Sequence, residues 1–329
     1  MFKVIVTDCI FRDLKQEETI LKCIDAEIIG YQCKTADEVI RVAEDADAIL
    51  TSQFKNIDRN IIEHLKKCRV IVRYGIGVDT IDICAATEKG ILVVNVPEYC
   101  IDEVSDHAVA LVLALSRNLC RSNAEIRSGS GYRIDYSNPL FSLKSSAIGI
   151  IGFGRIGRQT GHKISVFSSE IRFFDPYVPE DIHGDGVVFR KSSLDDLLQT
   201  SDIIILNAPL TKETYHLIDA NAVARMARKP YLVNVSRGEL VDSAALLQGI
   251  ENGSIRGAAL DVVEGVPPLP EGDPILKNDR ILFTPHSAWY SEESLRSLQR
   301  TAAEEVARVL AGEMPHSLMN KEAWGRKRF

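Results

Sequence analysis

The fifteen residues Ala147–Gly161, AIGIIGFGRIGRQTG, restrict the fold more than any other stretch. The first part is apolar and β-branched, the composition of a strand buried on both faces. Glycines follow at Gly152, Gly154 and Gly157, and a helix pattern opens directly after them. A strand, a G-x-G-x-x-G turn and a helix in that order form the context in which this motif cradles a dinucleotide pyrophosphate. Gly152 permits the tight turn, Gly154 lets a phosphate approach the backbone, and Gly157 lets the helix pack on the strand. The N–H groups of Arg155 and Ile156 at the helix start would face the phosphates. Asp175 stands 18 residues beyond Gly157. An ionised Asp at that place accepts from a ribose 2′-hydroxyl and repels a 2′-phosphate. The next arginine is Arg190, so the sequence predicts NAD (NADH) rather than NADP.

The rest of the chain has the matching rhythm. Strands are predicted at Lys3–Asp8, Ala26–Gly30, Asp47–Ser52, Arg69–Gly75 and Gly90–Val96, with helical segments between them. Near-continuous apolar strands separated by helices indicate a parallel sheet covered on both faces. A long helix is predicted over Ile101–Arg127, followed by a Gly- and Ser-rich crossover. Six further strands then follow, at Ala147–Ile151, Ile171–Asp175, Asp202–Asn207, Tyr231–Val235, Gly257–Val263 and Arg280–Thr284. Six strands fit one doubly wound dinucleotide-binding domain. A last helix, roughly Glu292–Ala311, has no strand after it and is expected to fold back on the first domain. The fold class is α/β, with two doubly wound parallel-sheet domains.

Composition narrows the function classes. The 329 residues are 45% hydrophobic and 26% charged, with a formal net charge of −7. That balance disfavours nucleic acid as the main partner. The basic tail WGRKRF is short and reads as a solvated end. No signal peptide or membrane span is visible. The seven cysteines all lie within the first 120 residues, none in a C-x-x-C pair, and read as reduced thiols of a cytoplasmic protein. No metal site is expected.

The segments RYGIGVDTIDI, LVNVSRGELVDSAALLQGI and LFTPHSAWYSEES, taken with the glycine motif, resemble the D-isomer-specific 2-hydroxyacid dehydrogenases over nearly the whole chain and in the right order. TPHSAWYSEE, NVPEYCIDEVSDHA and DPYVPE look most like the branch that includes the C-terminal binding protein corepressors. The resemblance implies a flavodoxin-like substrate domain of residues 1–100 and 292–329, a Rossmann coenzyme domain of residues 101–291, and an active site in the cleft between them. It also implies a homodimer, with the helix near Ile101–Arg127 in the contact. Arg237 matches the arginine that holds the substrate carboxylate and carbonyl. Its planar fork of donors suits that geometry. His286 matches the acid/base, and imidazole, with an unperturbed pKa of about 6.5, suits proton donation near neutrality. By the same resemblance Gly75, Ile76 and Gly77 supply backbone amides to the substrate carboxylate. Trp289 walls the substrate pocket, and Gln53 and Phe54 face it. Val104, Asn207, Ala208, Pro209, Val235 and Ser236 line the coenzyme, and Asp261 binds the nicotinamide carboxamide. Asp261 is read within an apolar strand, so burial alone demands a partner for it.

One position departs from the pattern. Most of the family places a glutamate five residues after that Asp, where it orients the histidine; here the residue is Val266. Glu264 aligns two places earlier. Three readings stay open. The enzyme works with His286 unsupported by that glutamate or with the relay rebuilt by another group; or Glu264 shifts in as a catalytic substitute; or the protein is mainly an NAD(H)-responsive binding or regulatory protein with weak turnover.

Overall fold

The computed structural model describes every residue except 53–55, 130–131, 135, 137–138, 185, 266–268 and 328–329. The chain forms two compact units, Met1–Cys100 with Tyr290–Phe329, and Ile101–Trp289.

In the first unit, strands β1 (Phe2–Val6), β2 (Ala26–Gly30), β3 (Ala48–Thr51), β4 (Val70–Arg73) and β5 (Leu92–Val94) alternate with helices α1 (Lys15–Leu21), α2 (Ala36–Ala43), α3 (Arg59–His64) and α4 (Ile83–Glu88). All neighbouring strands pair in parallel, in the order β2-β1-β3-β4-β5. That is the flavodoxin-like order. The central strands are mostly apolar because helices cover both faces. One face packs Ile5, Ile49 and Ile71 against Val39, Ile61 and Ile62 of α2 and α3. Thr35, Asp58 and Asp82 cap α2, α3 and α4 with side-chain oxygens, which explains where those helices begin. The C-terminal helix, Glu292–Leu310, starts in a capping box between Ser291 and Ser294. Its Gln299 donates to the buried Glu17 of α1 at 3.1 Å.

The second unit opens with α5 (Ile101–Ser116) and α6 (Leu119–Arg127). The single helix predicted over Ile101–Arg127 is therefore two, broken where Asn118 takes a left-handed φ of 53°. Asparagine tolerates that conformation better than most residues. There follow β6 (Ile148–Ile151), α7 (Arg155–Ile164), β7 (Ile171–Phe174), β8 (Ile182–Gly184), β9 (Val187–Lys191), α8 (Leu194–Thr200), β10 (Ile203–Leu206), α9 (Ala220–Ala224), β11 (Tyr231–Asn234), α10 (Ser243–Glu251), β12 (Gly257–Leu260), α11 (Pro274–Lys277) and β13 (Ile281–Phe283). The sheet order is β13-β12-β11-β10-β6-β7-β9-β8. Among the described strands of this sheet only β8 and β9 pair antiparallel. From β9 to β12 this is the doubly wound dinucleotide-binding order, whose winding reverses between β6 and β10. The expected six strands are present, but they are not the six of the doubly wound set. The set's third strand is β9, which the sequence reading missed, and the strand read as sixth, β13, is an addition at the edge. The predicted strand Gly257–Val263 also ends early, at Leu260, so Asp261 stands just beyond it rather than within it.

Candidate functional site

The reversal between β6 and β10 opens the sheet at its carboxyl edge, and the glycine motif sits there. Gly152 has a φ of 88°. A Cβ on it would stand 2.5 Å from the amide nitrogen of Ala208, which follows β10. A Cβ on Gly157 would meet the carbonyl oxygen of Gly152 at 2.1 Å. Both glycines are thus required by the packing of the turn itself. Gly154 is different: it caps α7, it is exposed, and a Cβ on it would meet nothing within 4 Å. The fold leaves space at that one glycine, where a phosphate would approach. Arg155 and Ile156 begin α7, and no side chain caps that helix end. The N–H groups at a helix N-terminus favour an anion.

Asp175 follows β7, and its carboxylate accepts from Phe153 N at 2.8 Å and from Tyr177 N at 2.9 Å. It therefore ties the glycine turn to the second strand and keeps lone pairs for a hydroxyl. Across the opening, both polar atoms of the Asn207 side chain are buried with no hydrogen-bond partner among the described residues. Such groups normally have one, so this amide fits a polar ligand group. Ala208 is buried beside it and Pro209 is exposed. Val104, on α5, is buried at 6% exposure. These residues fit an NAD-type coenzyme: an open glycine, an uncapped helix start, an acid after the second strand and an unsatisfied amide converge on one sheet edge.

The neighbouring strands β11, β12 and β13 end in the segments that carry the chemical candidates. At the end of β11, the fully buried Asn234 folds the chain into a turn. Its Oδ1 accepts from Ser236 N at 3.0 Å and its Nδ2 donates to the Arg237 carbonyl at 2.8 Å. Ser236 Oγ donates to Leu206 O at 2.9 Å, and Val235 is buried. Arg237 Nη1 donates to the Ser236 carbonyl at 2.9 Å. The backbone presenting Arg237 is therefore fixed by Asn234, a residue that the sequence reading did not single out.

Asp261 is 2% exposed. Its Oδ1 accepts from Thr284 Oγ1 at 2.5 Å and from Ser287 N at 2.9 Å; its Oδ2 accepts from Ala288 N at 3.0 Å. Its carbonyl accepts from His286 N at 2.9 Å. The partner that burial demanded is thus the turn that carries His286. A carboxylate has about four acceptor positions, so one is left for a ligand amide. His286 itself is exposed and has a left-handed φ of 53°. Trp289 is half-buried at the end of the same turn.

Glu264 has other partners. His216 Nε2 bonds its Oε1, and Ser243 N at the start of α10 donates to Oε2 at 3.2 Å. The second nitrogen of His216 lies 3.9 Å from Asp242. Glu264 is thus tied by one oxygen to His216 and by the other to the start of α10. No sequence signal links His216 to Glu264, 48 residues away.

Within the first unit, Gly75 follows β4 with a φ of 142°. Its carbonyl accepts from Val96 N at 3.0 Å, and the Ile76 carbonyl accepts from Asn95 Nδ2 at 2.6 Å. With carbonyls tied down, the Gly75–Gly77 turn is held from one side. Gln53 and Phe54 lie outside the described residues. The described His, Cys, Asp and Glu side chains form no group that could hold a metal ion, and no described helix is long and apolar enough to cross a membrane.

Comparison with known proteins identifies the family. The chain is 37% identical over 290 residues to a glyoxylate reductase of Thermofilum pendens, covering 87% of this chain and 85% of that protein. It is 34% identical over 321 residues to a D-3-phosphoglycerate dehydrogenase of Methanocaldococcus jannaschii, covering 97% of this chain but only 60% of that longer protein. Among solved structures, a protein of Thermus thermophilus matches with a TM-score of 0.86 at 27% identity, covering 97% of this chain and 100% of that one. Residues 109–288 match the model of the D-isomer specific 2-hydroxyacid dehydrogenase NAD binding domain, and the chain belongs to that family.

Proposed function

We propose that the protein is an NAD-dependent D-2-hydroxyacid dehydrogenase working as a 2-keto acid reductase. The observation that carries this reading is the use of a buried carboxylate, Asp261, to clamp the turn that presents His286. NADH, when bound, supplies the hydride. Arg237 holds the carboxylate of the keto acid and polarises its carbonyl, and the His286 imidazole gives the nascent alkoxide its proton. Gly154 and the amides of Arg155 and Ile156 hold the pyrophosphate, Asp175 and Asn207 the adenosine side, and the free acceptor position of Asp261 the carboxamide. The turn Gly75–Gly77 is the proposed source of amides for the substrate carboxylate, with Trp289 walling the side-chain pocket. The similar proteins named for glyoxylate and 3-phosphoglycerate favour a substrate among small 2-keto and 2-hydroxy acids.

The test is NADH oxidation with a panel of 2-keto acids, glyoxylate and 3-phosphohydroxypyruvate included, across pH 5–9. Turnover with at least one member is expected. Tight NADH binding with no turnover above background would favour the second reading, a coenzyme-responsive regulatory protein of the corepressor kind, for which Val266 in the usual glutamate position speaks.

The working state we propose is a cytoplasmic homodimer. Leu119 and Ile126 on α6, with Tyr132, Ile134, Tyr136 and Phe141 after it, expose large apolar side chains that a second copy would cover. Sedimentation at micromolar concentration checks this; a monomer would count against it.

A further inference from the structure

A histidine on α5 reaches the turn that carries His286. His107 Nε2 lies 3.0 Å from Thr284 Oγ1 and 3.6 Å from Asp261 Oδ1. The direction of these bonds follows from chemistry. A carboxylate only accepts, so the Thr284 hydroxyl donates its one proton to Asp261 at 2.5 Å. The hydroxyl oxygen can then only accept from His107, which requires the proton of the ring on Nε2. The result is a one-way chain from His107 Nε2–H to Thr284 Oγ1–H to Asp261.

Asp261 holds the whole turn. Thr284 N donates to Leu260 O at 3.1 Å, Pro285 has no N–H, His286 N donates to Asp261 O, and Ser287 N and Ala288 N donate to the two Asp261 carboxylate oxygens. Every backbone donor from 284 to 288 therefore reaches Leu260 or Asp261. This clamp holds His286 in a left-handed conformation, φ 53°, that a non-glycine residue adopts only when its surroundings impose it. The carboxylate end of the clamp is only as well aimed as Thr284 and, behind it, His107.

We propose that His107 is a positioning residue for His286: it sets the Thr284 proton on Asp261 and so fixes the turn that presents the catalytic imidazole. This rests on the reading of His286 as proton donor, and it predicts an effect on the chemical step rather than on substrate affinity.

The experiment compares His107→Leu, His107→Gln and Thr284→Val in the full chain. Glutamine carries an Nε2–H donor at a reach close to that of the imidazole. Amide hydrogen exchange of the peptide spanning Ile281–Trp289 is read without coenzyme, and steady-state NADH oxidation is read with the keto acid that the wild type turns over. In His107→Leu, exchange at the His286, Ser287 and Ala288 amides is expected to rise about 10-fold. The kcat is expected to fall about 10-fold with KM for the keto acid within about twofold. His107→Gln restores both, and Thr284→Val, nearly isosteric, reproduces the leucine variant. The proposal is overturned by unchanged exchange, by a glutamine variant no better than leucine, or by a loss confined to KM. If the wild type turns over no keto acid, the reductase reading falls, and the exchange pattern of the three variants alone decides the role of His107.

Discussion

Gly238 lies so close to Val263 that a Cβ added to it would stand 2.1 Å from the carbonyl carbon and oxygen of that residue. The turn carrying Arg237 and the chain leaving β12 are thus pressed together backbone to backbone, one residue from Glu264. Backbone cannot move aside as a flexible side chain can. Gly238→Ala is expected to destabilise the protein by roughly 3 kcal/mol. It should also displace Arg237, so that kcat falls more than the population of folded protein explains. Urea unfolding followed by fluorescence measures the first, and steady-state kinetics the second. A variant with wild-type stability would show that the contact is not tight in solution.

Gly154→Ala separates fold from ligand. The site has room for a Cβ in the coenzyme-free protein, so unfolding free energy should change by less than about 1 kcal/mol. A phosphate approaching that backbone would meet the methyl group, and NADH affinity is expected to drop at least ~10-fold. Calorimetric titration of NADH into both proteins checks the pair of outcomes. Equal affinity would place the phosphates elsewhere.

These two glycines show what kind of information the sequence carried. The glycine motif could be read because its requirements are local: Gly152 and Gly157 answer to backbone within the same turn and the adjacent strand end. The central strands could be read because burial on both faces makes them nearly continuous apolar runs. Strand β9, next to the edge strand β8, is not legible in the sequence because it is exposed and buried by turns, and only Arg172–Arg190 and Phe173–Lys191 pair it to β7. The break at Asn118 was hidden by an apolar spacing that runs through it. Partners brought together by tertiary structure left no trace: Glu264 meets His216 from 48 residues away, and His107 meets Thr284 from 177. Asp261 shows the boundary between the two. Its need for a partner followed from burial, but the identity of the partner required the fold.

Glu17 gives a pH test of the first unit. It is fully buried, and it accepts from Tyr74 Oη at 2.9 Å and from Gln299 Nε2 at 3.1 Å. Burial pushes its carboxyl above the usual carboxylate range, against the opposing pull of those hydrogen bonds. A carboxyl raised in the folded state binds its proton more tightly there than in the unfolded chain. Its contribution to stability is full below the unfolded value of about 4.3 and is lost as pH rises through the folded value. Glu17→Gln has no such proton to lose. Its Tm relative to wild type is therefore expected to improve from pH 4 to pH 8, as scanning calorimetry would show. A difference that stays flat would mean that Glu17 titrates alike in both states.

Val266→Glu tests the departure from the family pattern. The sequence puts Val266 five residues after Asp261, where the family carries the glutamate that orients the histidine. Glu264, two residues earlier, already has a partner on each oxygen, His216 and the Ser243 amide. Reduction needs the imidazole protonated. A carboxylate introduced beside it favours that form, so the acid form persists to higher pH and the alkaline limb of kcat/KM against pH should move up by at least ~1 unit. The wild type, without that carboxylate, is accordingly expected to reduce its keto acid best on the acid side of neutrality. Profiles of the two proteins over pH 5–9, taken with the same keto acid and saturating NADH, decide the matter. If the limb stays where it was, proton delivery by His286 does not depend on an acid at that position, and the relay runs through another group.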